Sequence, residues 1–151
     1  MEIFDLKNRP EYIMEVVELE HNEWSSNKTL NYKERIEEKV REYYKNVNDS
    51  YFCKLILIDD DKLIGFISIF PYDCDEEPDL TPWYATMYVK KEYRGKGYSK
   101  ILNDAILEEA KNRNIEELYL KTDLNNYYEK FGAIPLKQIN EKEKLLKFII
   151  K

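Results

Sequence analysis

The chain has 151 residues, and its 24 basic and 30 acidic side chains give a formal charge of −6. That length suits one domain with a hydrophobic core and is too short for two, so we expect 1–151 to form a single domain. A hydrophobic content of 43% excludes a disordered chain. The acidic balance disfavours general nucleic-acid binding.

Targeting segments and metal sites are not predicted. No apolar run reaches the roughly 18 residues that a membrane span needs, and the first five residues lack the basic and apolar regions of a signal peptide. The two cysteines, Cys53 and Cys74, are too few for a disulfide framework, and no Cys/His spacing predicts a zinc site. We therefore expect a cytoplasmic protein that binds no metal, membrane or nucleic acid.

The first third of the chain predicts a short strand and two helices. Residues 2–6 alternate well enough for the strand, and Pro10 stands where a helix typically begins, ahead of an apolar stripe. The second helix is predicted from about Asn31, with apolar residues at four-residue steps. Residues 21–27 lie between the helices, and their polar composition predicts a loop.

Three strands and an acidic segment follow. Residues 51–58 and 62–70 predict an antiparallel hairpin. The segment 71–82 holds five carboxylates, three prolines and no base, so we expect it to be an exposed loop. Another strand is predicted at 83–89.

The second half of the chain predicts a helix at 98–112, a strand at 118–121, a short helix at 125–131, and two final strands at 133–138 and 145–150. The strand–helix–strand crossover should be parallel and right-handed, whereas the hairpins should be antiparallel. The predicted fold class is α/β, with a mixed central sheet of about seven strands and helices on both faces.

Two glycines, Gly95 and Gly97, fall in the turn that opens the helix at 98–112. Residues 90–100 carry a net charge of +4 within a protein of charge −6. Unpaired N–H groups, the helix dipole and nearby cations together make an anion site. From the glycines alone, an ordinary tight turn is an equally good interpretation. The dinucleotide and Walker patterns do not fit, because their glycine spacing differs.

Two segments carry a family resemblance. With the sequence Arg-Gly-Lys-Gly-Tyr-Ser, segment 94–99 resembles the acetyl-CoA pyrophosphate loop of the GNAT superfamily, except that Ser99 replaces the usual glycine or alanine. Segment 126–133 resembles the family's Tyr-Glu-Lys-x-Gly-Phe segment, with Ala133 in place of the aromatic residue. Because both occur in the family's order and spacing, the chain is identified as a member, and the resemblance implies a GNAT-like fold.

The resemblance implies acetyl-CoA as cosubstrate and assigns roles to individual residues. Tyr128 carries over as the acid that protonates the departing CoA thiolate, and its neighbour Tyr127 is the competing candidate. A backbone N–H of Tyr88 or Val89 would steady the thioester carbonyl. The residues expected to bind the cofactor are Met87, Tyr88, Val89, Arg94, Gly95, Lys96, Gly97, Tyr98, Ser99, Asn125 and Lys130.

The acceptor is expected to be a polar, cationic amine, such as an aminoglycoside, a polyamine or a peptide amine. The acidic segment precedes the strand expected to hold the thioester, so its field would attract a cation. A merely solvated loop is an equally good interpretation.

The groups that would serve the acceptor remain open at this point. The catalytic base could be Glu77 or Asp79, or alternatively Glu76, His21 or water, and Glu76 could also bind the acceptor. Trp24 and Trp83 could line the acceptor pocket. A non-catalytic acyl-CoA-binding regulatory module is the alternative function, and the protein could be a monomer or a homodimer.

Overall fold

A single mixed sheet of seven strands organises the chain, in the order β1-β2-β3-β4-β5-β7-β6. The structure is a computed structural model that describes residues 1–151. The strands are β1 (Glu2–Asp5), β2 (Cys53–Asp59), β3 (Lys62–Phe70), β4 (Trp83–Val89), β5 (Glu117–Thr122), β6 (Ile134–Gln138) and β7 (Lys144–Ile149). The predicted mixed sheet with helices on both faces is confirmed.

Three α-helices accompany the sheet: α1 (Ile13–Trp24), α2 (Tyr32–Asn46) and α3 (Tyr98–Asn112). None is long and apolar enough to cross a membrane. The helix predicted at 125–131 is wrong in type and length, because the structure has a four-residue 3₁₀ turn, Tyr128–Phe131. Asn126 interrupts the helical path with a φ of 59°, and Gly132 ends the turn at a φ of 102°.

The helices pack on opposite faces of the sheet because β2 and β3 are apolar on both faces. Leu55 and Leu57 belong to the core under α3, whereas Ile56 and Ile58 belong to the core under α1 and α2. This division follows from the alternation of side chains along a strand. Both cores meet through the sheet, so the central strands are fixed from two sides.

β4 and β5 are the parallel pair of the sheet, and a single pair of residues, Trp83 and Tyr119, joins them. All other strand pairs are antiparallel and are joined at four or more positions. The predicted parallel crossover through α3 is therefore confirmed. Beyond Trp83 the two strands separate, which opens a gap in the sheet.

Gly65 in β3 allows this part of the sheet to pack closely. A Cβ at this position would lie 2.3 Å from the carbonyl oxygen of Tyr88 in β4. A register irregularity lies beside it, between Leu57 and Ile58 of β2.

The acidic loop 71–82 is not fully exposed, contrary to the prediction. Cys74 is buried against Trp83 and Leu145, and Asp73 is half-buried. Burial of Cys74 fixes the middle of the loop to the sheet.

Candidate active site

A cleft of about 510 Å³ lies between the end of β4 and the start of α3, and we call it the glycine-loop cleft. Its lining combines the strand, the glycine turn and the tyrosines before Gly132. The lining residues are Glu23, Met87, Tyr88, Val89, Tyr93, Arg94, Gly95, Gly97, Tyr98, Ser99, Leu124, Tyr127 and Tyr128.

The glycine turn presents unpaired donors to this cleft. Gly95 and Gly97 have φ values of 78° and 84°, in the left-handed region that favours glycine, and nothing lies within 4 Å of where a Cβ would stand. The N–H groups of 95–97 donate to no protein group. Because the turn leads directly into α3, these donors and the helix dipole fit a pyrophosphate.

Three of the residues expected to bind the cofactor lie outside the cleft lining: Lys96, Asn125 and Lys130. Asn125 accepts a hydrogen bond from Lys144 Nζ at 3.2 Å, and the ammonium of Lys130 lies 4.3 Å from the ring centroid of Tyr127. Arg94 does line the cleft, where its Nε donates to the Val89 carbonyl at 2.8 Å. The arginine thus ties the loop to β4.

The N–H of Val89 faces the gap between β4 and β5. The N–H of the next residue, Lys90, donates to the carbonyl of Ile64 in β3 at 2.9 Å. Because the N–H groups of successive strand residues point to opposite edges, that of Val89 points away from β3. Of the two expected carbonyl donors, the geometry therefore favours Val89 over Tyr88.

A second cavity, of about 850 Å³, lies at the gap and is lined by residues of both β4 and β5. We call it the acidic cavity. Five carboxylates and three lysines contribute to its lining. The lining residues are Glu20, Glu23, Trp24, Ser25, Lys39, Phe70, Asp73, Tyr84, Ala85, Thr86, Met87, Leu120, Lys121, Thr122, Asp123, Leu124, Tyr128, Asn140, Lys142 and Glu143.

Tyr128 stands where the two cavities meet, since it lines both. Tyr127 lines only the glycine-loop cleft, so the two adjacent tyrosines differ in the cavities that they line. Burial, with smaller effects of Tyr127 and Asp123, raises the pKa of Tyr128 to about 12. Its hydroxyl is therefore protonated at neutral pH and can donate a proton.

Asp73 is the member of the acidic loop that lines the acidic cavity. Burial raises its pKa to about 6, an effect that nearby Lys121 opposes and Glu143 reinforces. At neutral pH the group is thus a carboxylate, and it holds a proton far more readily than an exposed aspartate.

The other carboxylates expected at the acceptor side do not line the acidic cavity. Glu77 forms an ion pair with Lys137, and Glu76 accepts a hydrogen bond from Asn140 Nδ2 at 3.0 Å. Asp79 is exposed and does not line either cavity. The structure does not bring these three residues to the site, because partners on and after β6 hold the first two.

His21 and Trp83 are also placed away from the cavities. His21 is fully buried, and its ring nitrogens are engaged by the Lys28 carbonyl at 2.8 Å and the Ser25 hydroxyl at 3.0 Å. Trp83 is 0% exposed, and its indole N–H donates to the Leu80 carbonyl at 2.7 Å. The structure contradicts Trp83 as a lining residue, whereas Trp24, half-exposed, does line the acidic cavity.

Several cavity residues had no signal in the sequence. Glu20 lies on α1 and Glu143 on the turn before β7, far from Asp73 along the chain. The one available signal for Asp73 was its position just after a buried strand end, where side chains reach the sheet edge. The structure contains no group of three or more His, Cys, Asp or Glu residues arranged to hold a metal ion.

Comparison with known proteins agrees with this geometry. Residues 13–133 match the family model described as acetyltransferase (GNAT) family. The chain belongs to the GNAT acetyltransferase family. A curated relative, N-alpha-acetyltransferase 30 of Schizosaccharomyces pombe, is 32% identical over 89 residues, which are 56% of this chain and 59% of that protein. The match thus spans little more than half of the relative's length.

Solved structures show the same fold. An aminoglycoside 6'-N-acetyltransferase complexed with coenzyme A aligns with a TM-score of 0.72 at 19% identity, covering 100% of this chain and 98% of that one. A mutant spermidine N-acetyltransferase of Vibrio cholerae aligns with a TM-score of 0.70 at 16% identity, covering 99% and 95%. This GNAT protein therefore shares its architecture with acetyltransferases whose named acceptors differ.

The glycine turn can be tested by replacing Gly97 with valine. Valine at a φ of 84° is strained and would displace the unpaired donors, so we expect coenzyme A to bind at least about tenfold more weakly in calorimetry. Asn114→Val is the matched control, because it places valine at a φ of 60° outside both cavities. That variant should lose stability but keep its affinity. Equal affinities for wild type and Gly97→Val would contradict the assignment of the turn.

Proposed function

We propose that this acetyltransferase moves the acetyl group of acetyl-CoA to a primary amine of a cationic acceptor. The observation that carries the proposal is the position of Tyr128, at the junction of a cleft with anion-binding donors and a cavity rich in carboxylates. In this arrangement the pantetheine arm lies along β4 in the glycine-loop cleft, and the amine enters from the acidic cavity. Acetyl-CoA supplies the thioester.

The residues of the chain divide the work of transfer among them. The N–H groups of 95–97 bind the pyrophosphate, and the N–H of Val89 donates to the thioester carbonyl as that oxygen gains charge. Tyr128 donates its hydroxyl proton to the departing thiolate, and burial keeps that proton in place until it is needed.

Asp73 is the carboxylate we propose to receive the acceptor amine. It lines the acidic cavity, and its pKa of about 6 suits a group that takes a proton from an ammonium at neutral pH. It replaces Glu77 and Asp79 in the expected role of base. Glu23, Asp123 and Glu143 add negative charge around it, whereas Glu20 is paired with Lys54. Trp24 offers an aromatic face to a cation.

The acceptor class rests on this charge together with the relatives. Aminoglycoside, spermidine and N-alpha-acetyltransferases are named for amine acceptors, and the first two share this fold. The non-catalytic alternative is disfavoured, because a regulatory module would need neither a second cavity nor a tyrosine between the two. A single domain, a cytoplasmic location and a monomeric or homodimeric state remain predictions.

An acetylation assay tests the proposed function directly. Purified protein is incubated with acetyl-CoA and either kanamycin, spermidine or an alanine-initiated peptide, and the release of CoA thiol is measured. We expect turnover with at least one of these amines and none with the corresponding compounds in which every amine is already acetylated. Tight CoA binding without turnover of any amine would support the regulatory alternative.

Tyr128→Phe tests the proton donor. The variant loses one hydroxyl and keeps the ring, so CoA affinity should remain while turnover falls roughly 10²–10⁴-fold. Tyr127→Phe is the matched control, since that residue does not reach the acidic cavity. If Tyr127→Phe lost more turnover than Tyr128→Phe, Tyr127 would be the proton donor and the proposed assignment would be wrong.

Asp73→Asn tests the acceptor side through pH. In wild type, kcat/KM should fall as the pH drops through about 6, because Asp73 gains a proton and then neither attracts nor deprotonates the amine. The asparagine variant should have a much lower kcat/KM and should lack this inflection.

The control for Asp73 is the double variant Glu77→Gln/Asp79→Asn. It removes two carboxylates of the same loop that do not line the acidic cavity, and it leaves Glu76, whose partner Asn140 does line it. We expect the acceptor KM of this variant to stay within about twofold of wild type at 0.1 M salt, which screens exposed charges. A large rise in KM for the double variant and none for Asp73→Asn would refute the placement.

A further inference from the structure

A line of polar side chains runs through the sheet from α1 to the floor of the acidic cavity. The ammonium of Lys54 forms an ion pair with Glu20 and donates to Ser68 Oγ at 3.0 Å. Ser68 Oγ lies 2.6 Å from Thr86 Oγ1. Lys54 is 4% exposed and Ser68 0% exposed. We call these three residues, Lys54, Ser68 and Thr86, the buried relay.

The need to satisfy buried groups favours one direction for the hydrogen bonds of the buried relay. An ammonium only donates, so the Ser68 oxygen accepts from Lys54. Either hydroxyl of the Ser68–Thr86 pair could be the donor by geometry, but the buried Ser68 hydroxyl has no other acceptor, which favours Ser68 as the donor. In that arrangement the Thr86 hydroxyl hydrogen is left to donate, and Thr86 is half-buried and lines the acidic cavity.

The backbone at Thr86 is strained. Its φ is 50°, and a β-branched residue rarely adopts this conformation. The register between β3 and β4 also shifts here, from Phe66 opposite Tyr88 to Ser68 opposite Ala85. Such strain persists only where the surroundings impose it, and it is concentrated at sites of function.

We propose that Thr86 is a catalytic residue that donates its hydroxyl hydrogen to the acetyl carbonyl oxygen, with Ser68 and Lys54 as positioning residues. Thr86 directly precedes Met87, which lines both cavities at their junction. An acetyl group carried in the glycine-loop cleft must reach the amine through this junction. The inference rests on the proposed function.

The transfer step accounts for all atoms and electrons. The amine nitrogen forms a bond to the carbonyl carbon, and the C=O π pair moves to the oxygen, where Thr86 and Val89 donate to the resulting oxyanion. The oxyanion then reforms C=O, the C–S bond breaks, and the thiolate takes a proton from Tyr128. The ammonium gives its first proton to Asp73 before the attack. The second proton leaves the nitrogen as the tetrahedral intermediate collapses and passes through solvent, which restores the Tyr128 hydroxyl. Thr86 keeps its own proton throughout.

The charge of the cavity explains why a relay backed by a cation is useful. Carboxylates that attract a cationic amine also repel the negative charge that develops on the acetyl oxygen. Lys54 is paired with Glu20, and the cationic end of this pair lies two hydroxyl groups away from that oxygen. A hydrogen bond that begins at a charged donor polarises those beyond it.

The first test needs no acceptor. Acetyl-CoA labelled with ¹³C at the acetyl carbonyl is bound to each variant, and the C=O stretch is recorded by infrared difference spectroscopy. In wild type the stretch should lie below its value in free acetyl-CoA. In Thr86→Val it should move back toward the free value, whereas Thr86→Ser should keep most of the shift. Affinity for CoA itself, which lacks the carbonyl, should be unchanged in both variants.

Kinetics with an amine that wild type acetylates provides the second test. Thr86→Val should lower kcat roughly 10²-fold, as for the loss of one oxyanion donor, with little change in acceptor KM. Lys54→Met should also lower kcat. The double variant should be no worse than Thr86→Val alone, because both act through one hydroxyl. Lys147→Met, which removes a lysine paired with Glu117 outside both cavities, is the control.

The outcomes separate this inference from the proposed function. If Thr86→Val keeps both the wild-type carbonyl shift and kcat while amines are acetylated, the inference is wrong and the proposed function stands. A rise in acceptor KM alone would also overturn it, since the hydroxyl would then bind the acceptor. If no amine is acetylated but the carbonyl shift disappears in Thr86→Val, the inference stands and the acceptor proposal fails. Should Lys54→Met not fold, the Thr86 pair of variants still decides.

Discussion

The separation of β4 from β5 is the feature on which the site depends. These parallel strands are joined only at Trp83 and Tyr119 and then diverge, so that backbone donors which a regular sheet would pair are left free. The buried indole of Trp83, held by the Leu80 carbonyl, anchors the closed end of the gap. Both cavities open from this gap on either side of Met87. Trp83, which the sequence suggested as a pocket-lining residue, thus lies at the point where the two strands begin to separate.

Charge is divided across the gap in a way that suits two different ligands. Cations and unpaired N–H groups lie at the glycine turn, whereas five carboxylates and three lysines line the acidic cavity. A polyanionic cofactor and a cationic acceptor would therefore be drawn to opposite sides of the same strand. Near the reacting atoms these fields conflict, and the buried relay places a positive charge where the acidic cavity alone would oppose the reaction.

The sequence predicted those parts of the fold that local chemistry decides. The glycine turn between strand and helix and the bounds 62–70, 83–89 and 98–112 rest on short-range patterns, and the structure places them as expected. The role of Tyr128 remains a proposal. The short helix before Gly132 was predicted wrongly, because the left-handed Asn126 breaks a pattern that side-chain periodicity alone does not reveal.

The sequence could not say which carboxylates enter the cavity, because distant partners decide this. Glu76 and Glu77 are held by Asn140 and Lys137, some sixty residues further along the chain, and this leaves Asp73 as the loop residue that faces inward. Lys54 illustrates the same limit. A lysine in a predicted strand is expected to be exposed, and only the assembled sheet buries Lys54 beside Glu20 and Ser68. Long-range packing thus determines the chemistry of the acceptor side.

Amide hydrogen exchange with and without coenzyme A reads both sides of the gap at once. If the cofactor lies along β4 in the glycine-loop cleft, binding should slow exchange at the N–H groups of 95–97 and of Val89 and leave the loop 73–80 beside the acidic cavity unchanged. Protection in that loop, with none at the glycine turn, would place the cofactor in the acidic cavity and overturn the assignment of both cavities.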